Sequence, residues 1–156
     1  MTEVPGGSSP AATSGAAIRD ANFIAQRIGA DEAAADAERA RLVEGQLPNL
    51  NEQLAAAINL RDKEVVHAQR PTAMIENDSA VPEGGSLYLT SQRLLHLGMR
   101  SHEIELDTIA ETSVSLERLL LLDLTDGSDL AIEVDQPRLL RVQLAAARAN
   151  ARRRTP

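Results

Sequence analysis

Cysteine is missing from all 156 residues, and that absence removes disulfide cross-links, thiolate nucleophiles and thiolate metal sites together. A chain without thiols suits a reducing interior, and a cytoplasmic protein is expected. Aromatic residues are nearly as scarce, with Phe23 and Tyr88 alone. That leaves no platform for stacking a base or a sugar, which argues against single-stranded nucleic acid as a partner. Long apolar runs are missing too: no window approaches the ~18 continuous apolar residues of a membrane span. Met1 to Gly7 holds no basic stretch leading into an apolar one, so neither a leader nor an anchor is expected. There is also no nucleophile elbow, no glycine-rich phosphate loop and no His-Glu-x-x-His run. Function is argued from sites, so the expectation is a protein that is no enzyme and binds no cofactor.

What is present is aliphatic. Hydrophobic residues make up 43% of the chain, enough for one domain plus an extension, with a core of Leu, Ile, Val and Ala. The net charge of −7 is unevenly spread. Residues 63–134 hold thirteen acidic and five basic residues, whereas 135–156 hold one acid and six arginines.

Four stretches follow from the order of residues. Residues 1–15, rich in Gly, Ser, Pro and Ala, bury too little apolar area to offset their ordering entropy and read as a disordered tail. Residues 16–61 read as a helical extension. Ile18, Phe23, Ile24, Ile28 and Leu42 are its large apolar residues, Gly29 interrupts the pattern, and Asn49-Leu-Asn-Glu52 resembles a capping box that opens a short helix to about Leu60. Residues 62–151 carry the sheet. Glu64 to Arg70 reads as a strand ending at Pro71, with a further short piece from Ala73 to Glu76, and Gly84-Gly85 reads as a turn. A hairpin over 86–98 turns at Ser91-Gln92, with Leu87 and Leu89 on one face and Leu95 and Leu97 repeating the pattern as a half-buried pair. His102 to Leu106, Glu111 to Leu116, and Arg118 to Leu124 follow; Asp126-Gly127 supplies a positive-φ turn into Leu130, Ile132 and Val134. Asp135 then reads as the cap and Pro137 as the first turn of a helix that buries Leu139, Leu140, Leu144 and Ala147. Residues 152–156 form a basic tail.

About seven antiparallel strands closed by one amphipathic C-terminal helix is an α+β order. The residues Gly85-x-Leu-Tyr-Leu-Thr-x-x-Arg-Leu94, then Ile104, Leu106 and Ile109, then Leu119 to Leu124 with Asp126-Gly127, Leu130 and Ile132, resemble bacterial pleckstrin-homology-like and GRAM-type domains over roughly residues 62–150. The resemblance implies an antiparallel sandwich or partly open barrel. In members that bind phosphoinositides, the connection between the first two strands is rich in Lys and Arg. Here Pro71 to Gly85 holds Glu76, Asp78 and Glu83 and no base, which argues against a lipid headgroup there.

The candidate contacts are arginines. Arg93 reads either as a basic contact or, preferably, as a side chain whose stem packs and whose head meets a nearby acid. Arg138, Arg141, Arg148 and Arg152 share one arc of the last helix, and Arg152, Arg153 and Arg154 end it. They read either as contacts for an anionic surface or as solvated charges that suit the C-terminal dipole. His67, His96 and His102 fit no ligand spacing, so no metal is expected. The extension reads equally as a partner-binding helix pair or as a cover for the sheet. Together these point to a non-enzymatic adaptor or scaffold module binding a protein or peptide partner, with the sheet edge beside the last helix as contact zone. The alternative is peripheral binding to anionic lipid through Arg141, Arg148 and Arg152 to Arg154.

Overall fold

The computed structural model describes residues 10–77 and 82–154. Helix α1 (Pro10–Glu44) comes first, and short helix α2 (Asn51–Leu54) tightens into a 3-10 turn over Ala55–Ala57. The strands are β1 (Val66–Asn77), β2 (Glu83–Thr90), β3 (Arg93–Leu97), β4 (Ser101–Glu105), β5 (Ile109–Ser115), β6 (Leu119–Leu124) and β7 (Asp129–Val134), and helix α3 (Pro137–Arg154) follows them. All seven strands join one antiparallel sheet in the order β4-β3-β2-β1-β7-β6-β5. The fold is α+β, and since β4 and β5 each have one neighbour the sheet does not close into a barrel.

Strand β1 joins the two halves. It pairs with β2 from Val66 to Ile75 and with β7 from Ala73 onward. The sequence breaks this strand at Pro71, but the chain continues through it by slipping register between Arg70 and Ala73. Proline has no N–H for the ladder, and a bulge is where a sheet tolerates that loss. Gly84 and Gly85 are likewise inside β2, paired with Met74 and Ala73, not in a turn. A Cβ on Gly85 would collide with the backbone of Leu97 and Gly98. The acidic connection before them falls partly, at 78–81, outside the described residues.

Two cores use opposite faces of the β2–β3 hairpin. On one face Leu87, Leu89 and Leu94 join Ile75, Leu120, Leu122, Ile132 and Val134 against Leu140, Leu144 and Ala147 of α3. Truncating a buried leucine there to alanine costs about 2–5 kcal/mol. On the other face Tyr88 and Leu95 pack with Val66 and Ile58, flanked by Leu50, Leu54, Leu60 and Leu97. The two-residue turn sets Tyr88 opposite Leu95 and Leu89 opposite Leu94, and opposed residues share a face. Leu95 and Leu97 therefore side with Tyr88, not with Leu87 and Leu89. The hairpin is buried on both faces because the segment around α2 folds back over it. Asn51 pins that segment: its Nδ2 donates to the Glu64 carbonyl (3.0 Å) and its Oδ1 accepts from the Val66 N–H (2.7 Å). The capping box does not form; Asn49 Oδ1 accepts from Asn51 N–H (3.0 Å), and Leu50 at the cap position offers no side-chain bond.

Helix α1 is longer than the sequence suggests, taking in Pro10 to Gly15 of the supposed tail; residues 1–9 lie outside the described residues. Its second half lies beside α3. Asp31, 3% exposed, accepts from the backbone N–H groups of Arg138 (2.8 Å) and Leu139 (3.1 Å). A carboxylate from a remote helix thus caps α3, in place of Asp135. Asp135 instead meets Arg27 (2.7 Å) and Arg118 (3.7 Å), and its carbonyl accepts from Arg70 Nε (2.9 Å). Farther along, Gln143 Nε2 donates to Glu38 Oε2 (3.0 Å), so the helices run the same way. The first half of α1 leaves Ile18 and Phe23 more than half exposed. Helix α3 continues through Arg152, Arg153 and Arg154, leaving 155 and 156 outside the described residues.

Candidate functional site

The residues that first draw attention in the sequence build the fold at one end of the sheet. Thr90 Oγ1 accepts from the N–H groups of Gln92 (3.1 Å) and Arg93 (3.0 Å), which shapes the β2–β3 turn, and donates to Glu64 Oε2 (2.6 Å). Arg93 grips the same carboxylate with Nε on Oε2 (2.8 Å) and Nη2 on Oε1 (3.0 Å), while Arg61 N–H donates to Oε1 (2.8 Å). Both side chains are inside, with Glu64 at 0% and Arg93 at 7% exposure. Burial pushes the Glu64 carboxyl up, but Arg93, the Arg61 N–H and Thr90 outweigh it and hold the group below its ordinary value. Arg93 is therefore a structural cation, paired with an acid as preferred from the sequence. Its remaining N–H groups reach Glu103 (2.9 Å) and the Asn59 carbonyl (3.0 Å). Arg61 closes the network on Glu103 and Glu105 of β4, and its hydrogen bond holds the Glu105 carboxyl below its usual range.

The three histidines do not converge. His67 donates from Nδ1 to the Pro48 carbonyl (2.8 Å) under α2, and burial pushes its pKa down. His96 is buried, with Nε2 donating to the Ala73 carbonyl (3.0 Å) and Nδ1 without a partner. His102 lies across the strand pair from it, rings 5.8 Å apart, and touches Glu83 (3.3 Å). Among the described residues no group of three His, Asp or Glu is placed to hold a metal ion.

Chemistry that is not consumed by the fold collects at the other edge. Between β5, α3 and the end of α1 is a groove of about 850 Å³. Glu111 and Thr112 of β5 form one wall and Arg39, Leu42 and Val43 of α1 the other; Val142, Ala145 and Ala146 lie between, with Arg141 and Arg148. Val43 is 83% exposed. Arg148 Nη2 donates to the carbonyls of Ile109 (2.6 Å) and Ala110 (3.3 Å) at the start of the free edge, and Arg141 Nε donates to Thr112 Oγ1 (3.1 Å). Neither guanidinium has a carboxylate partner among the described residues, whereas Arg39 has Asp36 at 2.6 Å. Burial, and then the charge of Arg152, push the Arg148 pKa down, as expected of a cation that has lost water without gaining an acid.

The arginine arc of α3 is thus divided. Arg138 turns toward Asp31 (3.6 Å), Arg141 and Arg148 toward the groove, and Arg152, Arg153 and Arg154 are exposed. The groove wall from α1 is the part of the site that the sequence does not reveal, because Leu42 and Val43 are nearly 70 residues from β5 and the only trace is an apolar pair at the end of a thin stripe.

Neither a family model nor a curated protein matches the chain. Among solved structures it is similar to the C-terminal domain of an unknown protein from Leishmania infantum, at 15% identity and a TM-score of 0.48, over 64% of this chain and 94% of that one. It is also similar to a chain of the 8S snRNP assembly intermediate, at 12% identity and a TM-score of 0.42, over 58% of this chain and 84% of that one.

Proposed function

We propose that this chain is a non-enzymatic, pleckstrin-homology-like interaction module of a bacterial cytoplasm, an adaptor or scaffold that holds an extended segment of a protein partner between β5 and α3. The Gly85 to Leu94 pattern, a strand order with one helix after the last strand, and the absence of any helix long and apolar enough to cross a membrane among the described residues support the class. The observation that carries the contact zone is the groove itself: a free strand edge offers backbone hydrogen bonds, and apolar walls stand beside it for side chains. Anionic membrane contact draws less support, because the arginines of α3 are turned in three directions, Arg138 to Asp31, Arg141 and Arg148 to the groove, and the terminal three to solvent.

Site-specific photo-crosslinking in cells tests this reading. A photoreactive residue at Val43 should capture a partner and map to one segment of it, while the same residue at Met99, 98% exposed in the β3–β4 turn, should not. Equal capture at both positions, or capture at Met99 alone, overturns it.

A further inference from the structure

We infer that the segment taken by the groove is acidic, and that Arg141 and Arg148 are the two anchors that select it. The inference rests on the reading of the groove as a peptide site and adds the chemistry of the peptide. In a chain of net charge −7, most of the cations that pack against the fold meet an acid, Arg93 with Glu64, Arg61 with Glu103 and Glu105, Arg138 with Asp31, while Arg70, outside the groove, donates to the backbone carbonyls of Gln69, Asp135 and Gln136. Among the described residues Arg141 and Arg148 have only a hydroxyl and backbone carbonyls. Arg148 also keeps Nε buried and without a partner, so part of its donor capacity is desolvated and unused. A partly buried guanidinium in that state gains more from an arriving carboxylate than a solvated one does, because much of its desolvation has already taken place. Glu111 is the one carboxylate on the groove wall, and it forms no ion pair with either guanidinium.

Spacing fits an extended partner. Seven residues separate the two arginines, two helical turns or about 10.5 Å along α3. A strand rises about 3.4 Å per residue and alternates its faces, so same-face side chains recur at about 7 and 14 Å, each within about 4 Å of that spacing, a difference that the long arginine stems span. Between the anchors the helix presents Ala145 and Ala146, small enough to let a second backbone come close. Arg148 on the carbonyls of Ile109 and Ala110 also blunts the first part of the edge, leaving 111 to 115 as the stretch where a peptide would pair.

The test uses the full chain and labelled peptides that alternate Val with Glu, with Gln or with Lys, each long enough to pair with all of β5. Binding is read by fluorescence anisotropy and located by amide chemical shifts. The Glu peptide should bind, shift the amides of β5 and α3, and weaken as salt rises. The Gln and Lys peptides should bind at least about tenfold more weakly, and Arg141→Gln and Arg148→Gln should each cost the Glu peptide about tenfold, with Arg100→Gln as the neutral control. If Gln and Glu peptides bind the groove equally and the two variants change nothing, the acidic preference is wrong while the groove stands. If no peptide shifts β5 amides, the groove reading falls with it. If phosphatidylserine vesicles shift α3 and peptides do not, the anion recognised is a lipid surface and the inference is overturned.

Discussion

The two edges of the sheet are built from the same kinds of residue and do opposite things with them. At the β4 edge, Glu103 and Glu105 are held by Arg61 and Arg93, and behind them Glu64 accepts four hydrogen bonds on its two oxygens. At the β5 edge, Arg141 and Arg148 meet neutral oxygens and stand over an open groove. Charge that is matched inside a chain holds the chain together; charge left unmatched beside an open strand is available to something else. The difference lies in the surroundings, since each edge has guanidiniums close to a short strand.

The sharpest way to break the comparison is to unpair the first edge. Replacing Glu64 with Gln removes the buried partner of the Arg93 guanidinium, itself 7% exposed, and leaves it the more exposed Glu103 alone, and removing one member of a buried pair costs about 3–5 kcal/mol. Urea denaturation should show that loss in both Glu64→Gln and Arg93→Met. A loss below about 1 kcal/mol would put the β4 network on a level with exposed ion pairs and erase the contrast. Acid should act on the same network. Because the folded Glu64 and Glu105 carboxyls titrate below their unfolded value of 4.5, their stabilisation is complete above that pH and is lost as the pH falls below it through the folded values. Hydrogen exchange on lowering pH should therefore loosen β3 and β4 before β5 and β6.

Next in size is the latch that brings α1 to the groove. Asp31 serves two backbone N–H groups of α3 from a buried position, and Asp31→Ala should cost about 2 kcal/mol, the upper range for a lost cap. The same variant should speed amide exchange in α1 while leaving β4 unchanged, and it should lower affinity in the groove, since Leu42 and Val43 are one of its walls. Unchanged exchange in α1 would mean that packing along Ala35 and Leu42, not the cap, secures the helix.

A third, weaker handle is His67. Burial lowers its folded pKa from 6.5, so the folded state binds the proton less well than the unfolded one, and stability is full above about that pH and declines below it. His67→Gln should flatten the decline between neutrality and the carboxylate range. If wild type and variant show the same slope there, another group is responsible.

These contrasts were unequally legible in the residues. Local chemistry was readable: Ser91-Gln92 makes the hairpin turn, Gly127 takes φ +90, and Pro137 opens α3. Arg93 as a paired cation was readable as well, since a long basic side chain on an apolar strand has few other ways to be buried. What was not readable depends on distance along the chain. Asp135 stands next to α3 and looks like its cap, yet Asp31 takes the place from more than a hundred residues away. Pro71 looks like the end of a strand because a bulge depends on the partner strands. The alternation of 86 to 97 shows two faces without showing that α2 covers one of them and α3 the other.

The smallest expected effect carries the most weight for function. Arg141 and Arg148 should matter little to stability, because each is bonded to a neutral oxygen at a solvent-open groove and surface substitutions of this kind stay within about 0.5 kcal/mol. Arg141→Gln should fall inside that limit by urea denaturation. Arg148→Gln should match it or exceed wild type slightly, since the amide keeps a donor for the Ile109 carbonyl and no longer places a charge where burial and Arg152 disfavour it. A loss of several kcal/mol from either would mean that these guanidiniums are also part of the scaffold, and the two edges would then differ in degree only. Stability unchanged with peptide affinity reduced is the pair of results that separates a binding edge from a structural one.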